Sequence, residues 1–218
     1  MVQSKGFGVV ALGLMLVLAG CGGENDKMFT DSRDNQNYRT VTIGNTTWMA
    51  QNLNFKMDDS WCYDEDEANC AQYGRLYIWD AAMNACPSGW RLPARSDWDN
   101  MLQVIGGVRD SDGDYDEIGK KLKSKTGWDI CFDKDLNHFK CDNNGTDSFG
   151  FSALSGGGRV ANGVFKDVGT LSYWWSATEF EAGGVWSRYM FSGFDYVYEG
   201  GANKGLGHSV RCVKNVRP

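Results

Sequence analysis

The chain is poor in the residue types that most often declare an enzyme. It has only two histidines in 218 residues, His138 and His208, and neither stands in an HExxH pattern or a Ser-His-acid order. That removes the common metalloprotease and serine-hydrolase arrangements, and each histidine reads as an ordinary surface residue. Cys-x-x-Cys spacing is missing, so a metal-thiolate centre has no ligand frame. Positive charge is in deficit: the formal net charge is −6. An acidic chain repels phosphate backbones, which argues against nucleic acid as a partner. Finally, no apolar run reaches the ~20 residues that cross a bilayer.

The main apolar run, Val9 to Leu18, follows a single charge at Lys5 and ends in Leu18-Ala19-Gly20-Cys21. A short basic region, an apolar core and small residues before a cleavage point make a secretory signal. The cysteine directly after Leu-Ala-Gly makes it resemble a bacterial lipoprotein signal. Residues 1–20 are therefore expected to be removed and Cys21 to carry lipid. Residues 21–32 then form a flexible tether and residues 33–218 a single domain. Losing Lys5 takes the net charge from −6 to −6 − 1 = −7. Gly22 and Glu24 follow the cysteine with no Asp directly after it, a pattern that resembles outer-membrane sorting, on either face of that membrane. The first expected partner is thus the membrane itself.

Setting Cys21 aside leaves 7 − 1 = 6 cysteines, an even number in an exported chain, for which disulfides are the default. Spacing suggests Cys62 with Cys70 and Cys131 with Cys141, each closing a small polar loop, which leaves Cys86 for Cys212. The last bond would close nearly the whole domain.

Local patterns then place the elements. Arg39 to Ile43 and Thr46 to Met49 flank Gly44-Asn45 and read as a hairpin with Val41 and Ile43 inward. Helical spacing begins at Leu76, with Trp79 and Met83 on one face. A second helix carries Trp98, Met101, Leu102 and Ile105. Its start is open between a Ser96-Asp99 capping box and an entry nearer Pro93. A third helix is expected beyond Glu117, with Ile118 and Leu122 inward. From Phe149 the chain reads as strands. Asn162-Gly163 turns one hairpin, Val185 to Phe191 pairs with Phe194 to Glu199, and Ser209 to Val213 is last; glycines at 156–158, 183–184 and 200–201 mark loops. Asp110, Asp112, Asp114, Asp116 and Glu117 alternate through a Gly-containing loop, which makes calcium the one candidate cofactor, since a hard cation needs several convergent oxygens.

The segments SRDNQNYRTVTIGNTTWMAQNLN, WCYDEDEANCAQYGRLYIWDAAMNACPSGWRLP, FGFSALSGGGR, WWSATE and SVRCVK together resemble the Fibrobacter succinogenes major paralogous domain. The resemblance runs from about Phe29 to Lys214. More distantly it reaches the C-type lectin-like fold and the formylglycine-generating sulfatase-modifying enzymes, through Arg91-Leu92-Pro93 with Trp98 and through Ser209-Val210-Arg211-Cys212-Val213. It implies an α+β, C-type lectin-like domain: two to three helices flanking small antiparallel sheets, with a large irregular loop region.

It does not imply an activity. Formylglycine chemistry would need a reactive cysteine pair near the C-terminus, and none stands between Cys141 and Cys212. The Glu-Pro-Asn and Trp-Asn-Asp motifs of calcium-dependent lectins are missing too; Trp174-Trp175-Ser-Ala-Thr-Glu179 lies where the latter would fall. What remains is an aromatic excess, with 9 Trp and 9 Tyr. Aromatic rings both fill cores and stack on sugar rings. Trp174, Trp175, Glu179, Trp186, Tyr196 and Tyr198 are the candidate ligand-binding residues, and alternation places Phe194, Tyr196 and Tyr198 on one strand face. The expected function is a non-catalytic binding or adhesion module, with a polysaccharide or an envelope protein as its partner.

Overall fold

A computed structural model describes residues 27–128, 130–133, 137–140, 143–180 and 183–215. Cys21 and Cys141 lie outside the described residues, and with them the expected lipidation and the Cys131–Cys141 bond. No helix among the described residues is long and apolar enough to cross a membrane.

Regular structure already falls within the expected tether, residues 21–32. β1 (Lys27–Thr30) is a strand, antiparallel to β2 (Asn37–Ile43) with Lys27 opposite Thr40. The predicted hairpin follows: Gly44 takes the positive φ of its turn, and β3 (Thr46–Met49) pairs back on β2. β2 is buried at Val41 and Ile43, as the pleat requires. The C-terminal β14 (Val213–Asn215) completes this sheet in the order β1-β2-β3-β14.

The middle of the chain switches element type within a few residues. β4 (Ser60–Trp61) leads to α1 (Glu67–Tyr73), which the sequence reading did not anticipate; Asp66 caps it by accepting from the Ala68 amide. Leu76 lies in a short strand, β5 (Leu76–Tyr77), and not in a helix. α2 (Trp79–Ala85) begins only afterwards. It buries Trp79, Ala81, Ala82 and Ala85, while Met83 points outward at 43% exposure. Small alanines let this face lie close to the core, so the larger Met83 was the wrong guide.

α3 (Arg95–Val104) starts after Pro93, with Ala94 at its cap. The Asp97 carboxylate reaches back to accept from the Ala94 amide at 2.6 Å, which is one half of a capping box. The expected third helix is a single turn, α4 (Gly119–Leu122), flanked by buried Ile118 and ending in buried Leu122. A separate hairpin pairs β6 (Ile130–Asp133) with β7 (Asn137–Lys140).

The second half adds the strands β8 (Gly156–Arg159), β9 (Phe165–Val168), β10 (Leu171–Glu179), β11 (Val185–Phe191), β12 (Tyr198–Ala202) and β13 (His208–Ser209). They build the larger sheet, ordered β12-β11-β10-β13-β5-β4, with β8 beside β10 and β9 beside β8. β8 and β9 join through the predicted turn, with Gly163 at φ 95°. β12 starts at Tyr198, not Phe194, because Val197 is drawn to pair with Tyr115. The expected final strand is split between β13 and β14.

Two cores flank β10. Consecutive residues of a strand point to opposite faces, so Trp174 enters one and Trp175 the other. Trp174 joins Trp48, Trp98, Trp128 and Phe151, with the Trp48 and Trp98 rings 4.8 Å apart. Trp175 joins Tyr77, Trp79 and Val210. Both indoles are fully buried, and their N–H groups donate to Asn52 Oδ1 and to the Tyr77 carbonyl. Cys86 at the end of α2 bonds Cys212 across 126 residues, and Cys62 bonds Cys70. In the chain-entropy account, a closed loop as large as the Cys86–Cys212 one stabilises by roughly 4–5 kcal/mol.

Candidate functional site

The open face of the larger sheet carries a row of rings set by strand register. Tyr173 on β10 lies opposite Tyr189 on β11, and Tyr189 lies opposite Tyr198 on β12. Directly opposed residues on one face bring their side chains together, and the ring centroids are 5.9 Å and 4.9 Å apart. Tyr196, just before β12, stacks on Tyr198 at 5.4 Å. At the other end His208 on β13 stacks on Tyr173 at 5.0 Å and on Trp175 at 4.1 Å. The four tyrosines are all partly exposed, while Trp175 beyond His208 is sealed.

Glycines make room for this row. A Cβ at Gly200 would meet Tyr189 at 3.2 Å, and one at Gly158 would meet Tyr173 at 3.1 Å. The glycine clusters at 156–158 and 200–201 therefore sit within β8 and β12, not in the loops expected of them. A strand glycine often marks such a close approach.

The row is electrically neutral. Burial raises the Tyr173, Tyr189 and Tyr198 hydroxyls above their ordinary range, and a hydrogen bond with Asp116 raises Tyr196. Tyr173 donates to Asp167 Oδ2 at 3.0 Å. Complete burial pushes His208 down to about 3, and its Nδ1 is buried without a partner among the described residues. Beside the row, Leu171 opposes Phe191, and Phe191 stacks on Phe194, which is 53% exposed. The loop carrying Phe194 is pinned by Lys123, whose ammonium donates to the carbonyls of Phe191, Ser192 and Phe194. Burial lowers that ammonium to about 8.

The sequence-derived candidates divide accordingly. Tyr196 and Tyr198 belong to the row. Trp174 and Trp175 are core residues and are withdrawn as ligand contacts. Trp186 is partly exposed but lies on the other face of β11 from Tyr189; it packs on Phe180 at 5.0 Å, with the Arg95 guanidinium 4.2 Å above it. Glu179 stands exposed at the far end of β10, paired with Lys204 at 2.8 Å. Sequence reading missed Tyr173, Tyr189 and His208. The alternation Tyr173, Trp175 and the in-strand glycines were the available signals, but the row exists only once three strand registers are known.

The acidic loop has a different occupation. Asp110 accepts from the amides of Asp112 and Asp114, both at 2.9 Å. Asp114 accepts from the Glu199 amide at 2.7 Å, and Asp116 from the Glu117 amide at 2.7 Å. Among the described residues no three carboxylates of Asp110, Asp112, Asp114, Asp116 and Glu117 bring their oxygens together; the one such cluster of ligand-type side chains is Cys62, Glu67 and Cys70. Its two sulfurs are consumed by a disulfide. In this geometry neither group presents the several convergent oxygens that a calcium ion takes.

Behind the loop lies a buried charge network. Glu199 receives Arg95, Arg109 and Arg188, and Arg188 also reaches Asp99 and the Gly113 carbonyl. Burial alone would raise the Glu199 carboxyl, but these arginines hold it below its ordinary value. The network fastens α3 and the acidic loop to the sheet.

An α+β domain with an aromatic sheet face, and with a disulfide tying α2 to the residue before the last strand, is the class these observations define. Within it, the profile of the Fibrobacter succinogenes major domain matches residues 41–214, and the chain belongs to that family. No curated protein and no solved structure matches it.

Proposed function

We propose that the chain is a non-catalytic module of the cell envelope, exported and held at the outer membrane by lipid on Cys21, that binds polysaccharide through the tyrosine row. The observation that carries this reading is the row itself: four adjoining, partly exposed, uncharged rings, with Tyr189, Tyr198 and Tyr196 stacked and Tyr173 tilted against Tyr189. A flat apolar face with a hydroxyl edge suits the C–H faces and hydroxyls of a sugar chain. The C-type lectin-like likeness of the sequence motifs agrees with such a role. A role without catalysis is supported by Cys212, whose thiol is tied to Cys86 and is not free for formylglycine-type chemistry.

The test is binding of the purified protein to a panel of glycans and cell-wall fractions, with and without EDTA. Binding to at least one polysaccharide is expected, unchanged by EDTA. Tyr198→Ala should weaken it about tenfold, or about 1.4 kcal/mol, the scale of one aromatic pair. Silence across the panel would overturn the carbohydrate reading. An envelope protein recovered by cross-linking at Phe194 would replace it with a structural role, for which the exposure of that ring is the motivating observation.

A further inference from the structure

The smaller sheet has a face that the tyrosine row does not use. Its outward positions are Thr42, Thr47 and Lys214 in one register row, with Lys27 opposite Thr40 beside them. Trp90 and Phe29 close one side, their rings 5.0 Å apart, and the Lys214 ammonium lies 4.7 Å from the Trp90 ring. Together with Ser88 and Gly89 these residues line a cavity of about 590 Å³.

We propose that this cavity docks the net anionic headgroup of a phospholipid in the leaflet in which the Cys21 lipid is embedded; the inference rests on the anchoring reading above. Charge is the first argument. The chain carries a net −6, yet the cavity lining holds Lys27 and Lys214 and no carboxylate. Lysines near an anionic leaflet are attracted within a Debye length of the surface. Reach is the second. Only residues 22–26 separate Cys21 from Lys27, and an extended chain spans at most ~3.3–3.6 Å per residue, so β1 stays within about 20 Å of the lipid. The first three described residues, Lys27, Met28 and Phe29, are themselves part of the lining.

Composition is the third argument. Met28 is 63% exposed at this edge, next to two aromatic rings and two lysines. Apolar tips, aromatic rings and long cationic side chains are what a surface lying against headgroups presents. Docking there would leave the tyrosine row, on the other sheet, available to a ligand.

The experiment reconstitutes the full-length lipidated protein into nanodiscs of phosphatidylcholine, with or without phosphatidylglycerol. Lysine acetylation is then read by mass spectrometry, with Lys166 and Lys204 as internal controls. Labelling of Lys27 and Lys214 should slow about tenfold in the anionic discs, with the controls unmoved. Thr47→Glu, which sets a carboxylate between the threonine and lysine neighbours while leaving both lysines to be counted, should restore fast labelling. Equal rates in both discs overturn the proposal. So does equal protection by inorganic phosphate over neutral discs, which would make the cavity a site for soluble anions. Intact mass read beforehand separates the premises: a Cys21 without acyl chains removes the anchor reading, and the docking with it, whatever the lysines show.

Discussion

Two cross-strand rows run side by side over β10, β11 and β12, one residue out of phase. Trp174, Arg188 and Glu199 form one, and Tyr173, Tyr189 and Tyr198 the other. The first row faces α3 and is closed: Trp174 and Arg188 are at most 1% exposed, and Glu199 is 9% exposed. The second is partly open. The pleat alone separates them, since neighbouring residues point to opposite faces. Charge and burial thus do opposite work across a single sheet. The row with ionised groups is consumed by the fold, and the row without them is the one left partly exposed.

The largest effect should come from breaking the closed row. Glu199→Ala leaves Arg188, with a side chain 2% exposed, one carboxylate, Asp99, in place of two. Removing one partner of a buried pair typically costs about 3–5 kcal/mol because the other charge stays buried. Denaturant unfolding should show that loss. Tyr198→Ala, one residue earlier, should cost about 1 kcal/mol. Equal losses would show that the two rows do not differ in the way proposed.

A second, smaller effect tests the sealed end of the open row. His208 is neutral in the fold because burial holds it near 3, against 6.5 when exposed. The unfolded chain therefore binds a proton that the folded chain refuses. The stability this contributes is complete above about pH 6.5 and is lost as pH falls toward 3. Between pH 7 and pH 5 the loss should approach 2 kcal/mol, at 1.36 kcal/mol per unit. Thermal melts at the two pH values measure it, and His208→Phe should flatten the difference. A wild-type melting temperature that does not change between them would mean that His208 is open to water.

The legible parts of this chain are those that local chemistry decides. Gly44-Asn45 and Asn162-Gly163 announced their turns because positive φ is demanded within the turn itself. The Cys62–Cys70 and Cys86–Cys212 pairs followed from spacing and parity. Leu76 was misread because a two-residue strand and the helix after it share one apolar run, and periodicity cannot divide so short a stretch. Trp174 and Trp175 were offered as ligand contacts because composition counts rings without saying which are covered. The tyrosine row was half visible, through Tyr196 and Tyr198. Tyr173 and Tyr189 were not, because their proximity depends on pairings across β10, β11 and β12 that no local pattern states.

The smallest expected change in stability sharpens the comparison most. Gly200 opposes Ser187 in the sheet, and a Cβ there would stand 3.2 Å from the Tyr189 ring. Alanine in a strand interior is worth roughly 0.5–1 kcal/mol more than glycine, and tilting one partly exposed ring gives back a similar amount. Gly200→Ala should therefore leave the unfolding free energy within about 1 kcal/mol of wild type. The same tilt breaks the 4.9 Å stack of Tyr189 on Tyr198, so polysaccharide affinity should fall several-fold while the fold is unchanged. Intact affinity in a folded Gly200→Ala protein would mean that flatness of the row is not what the ligand reads, and would move the search to the Phe191–Phe194 edge.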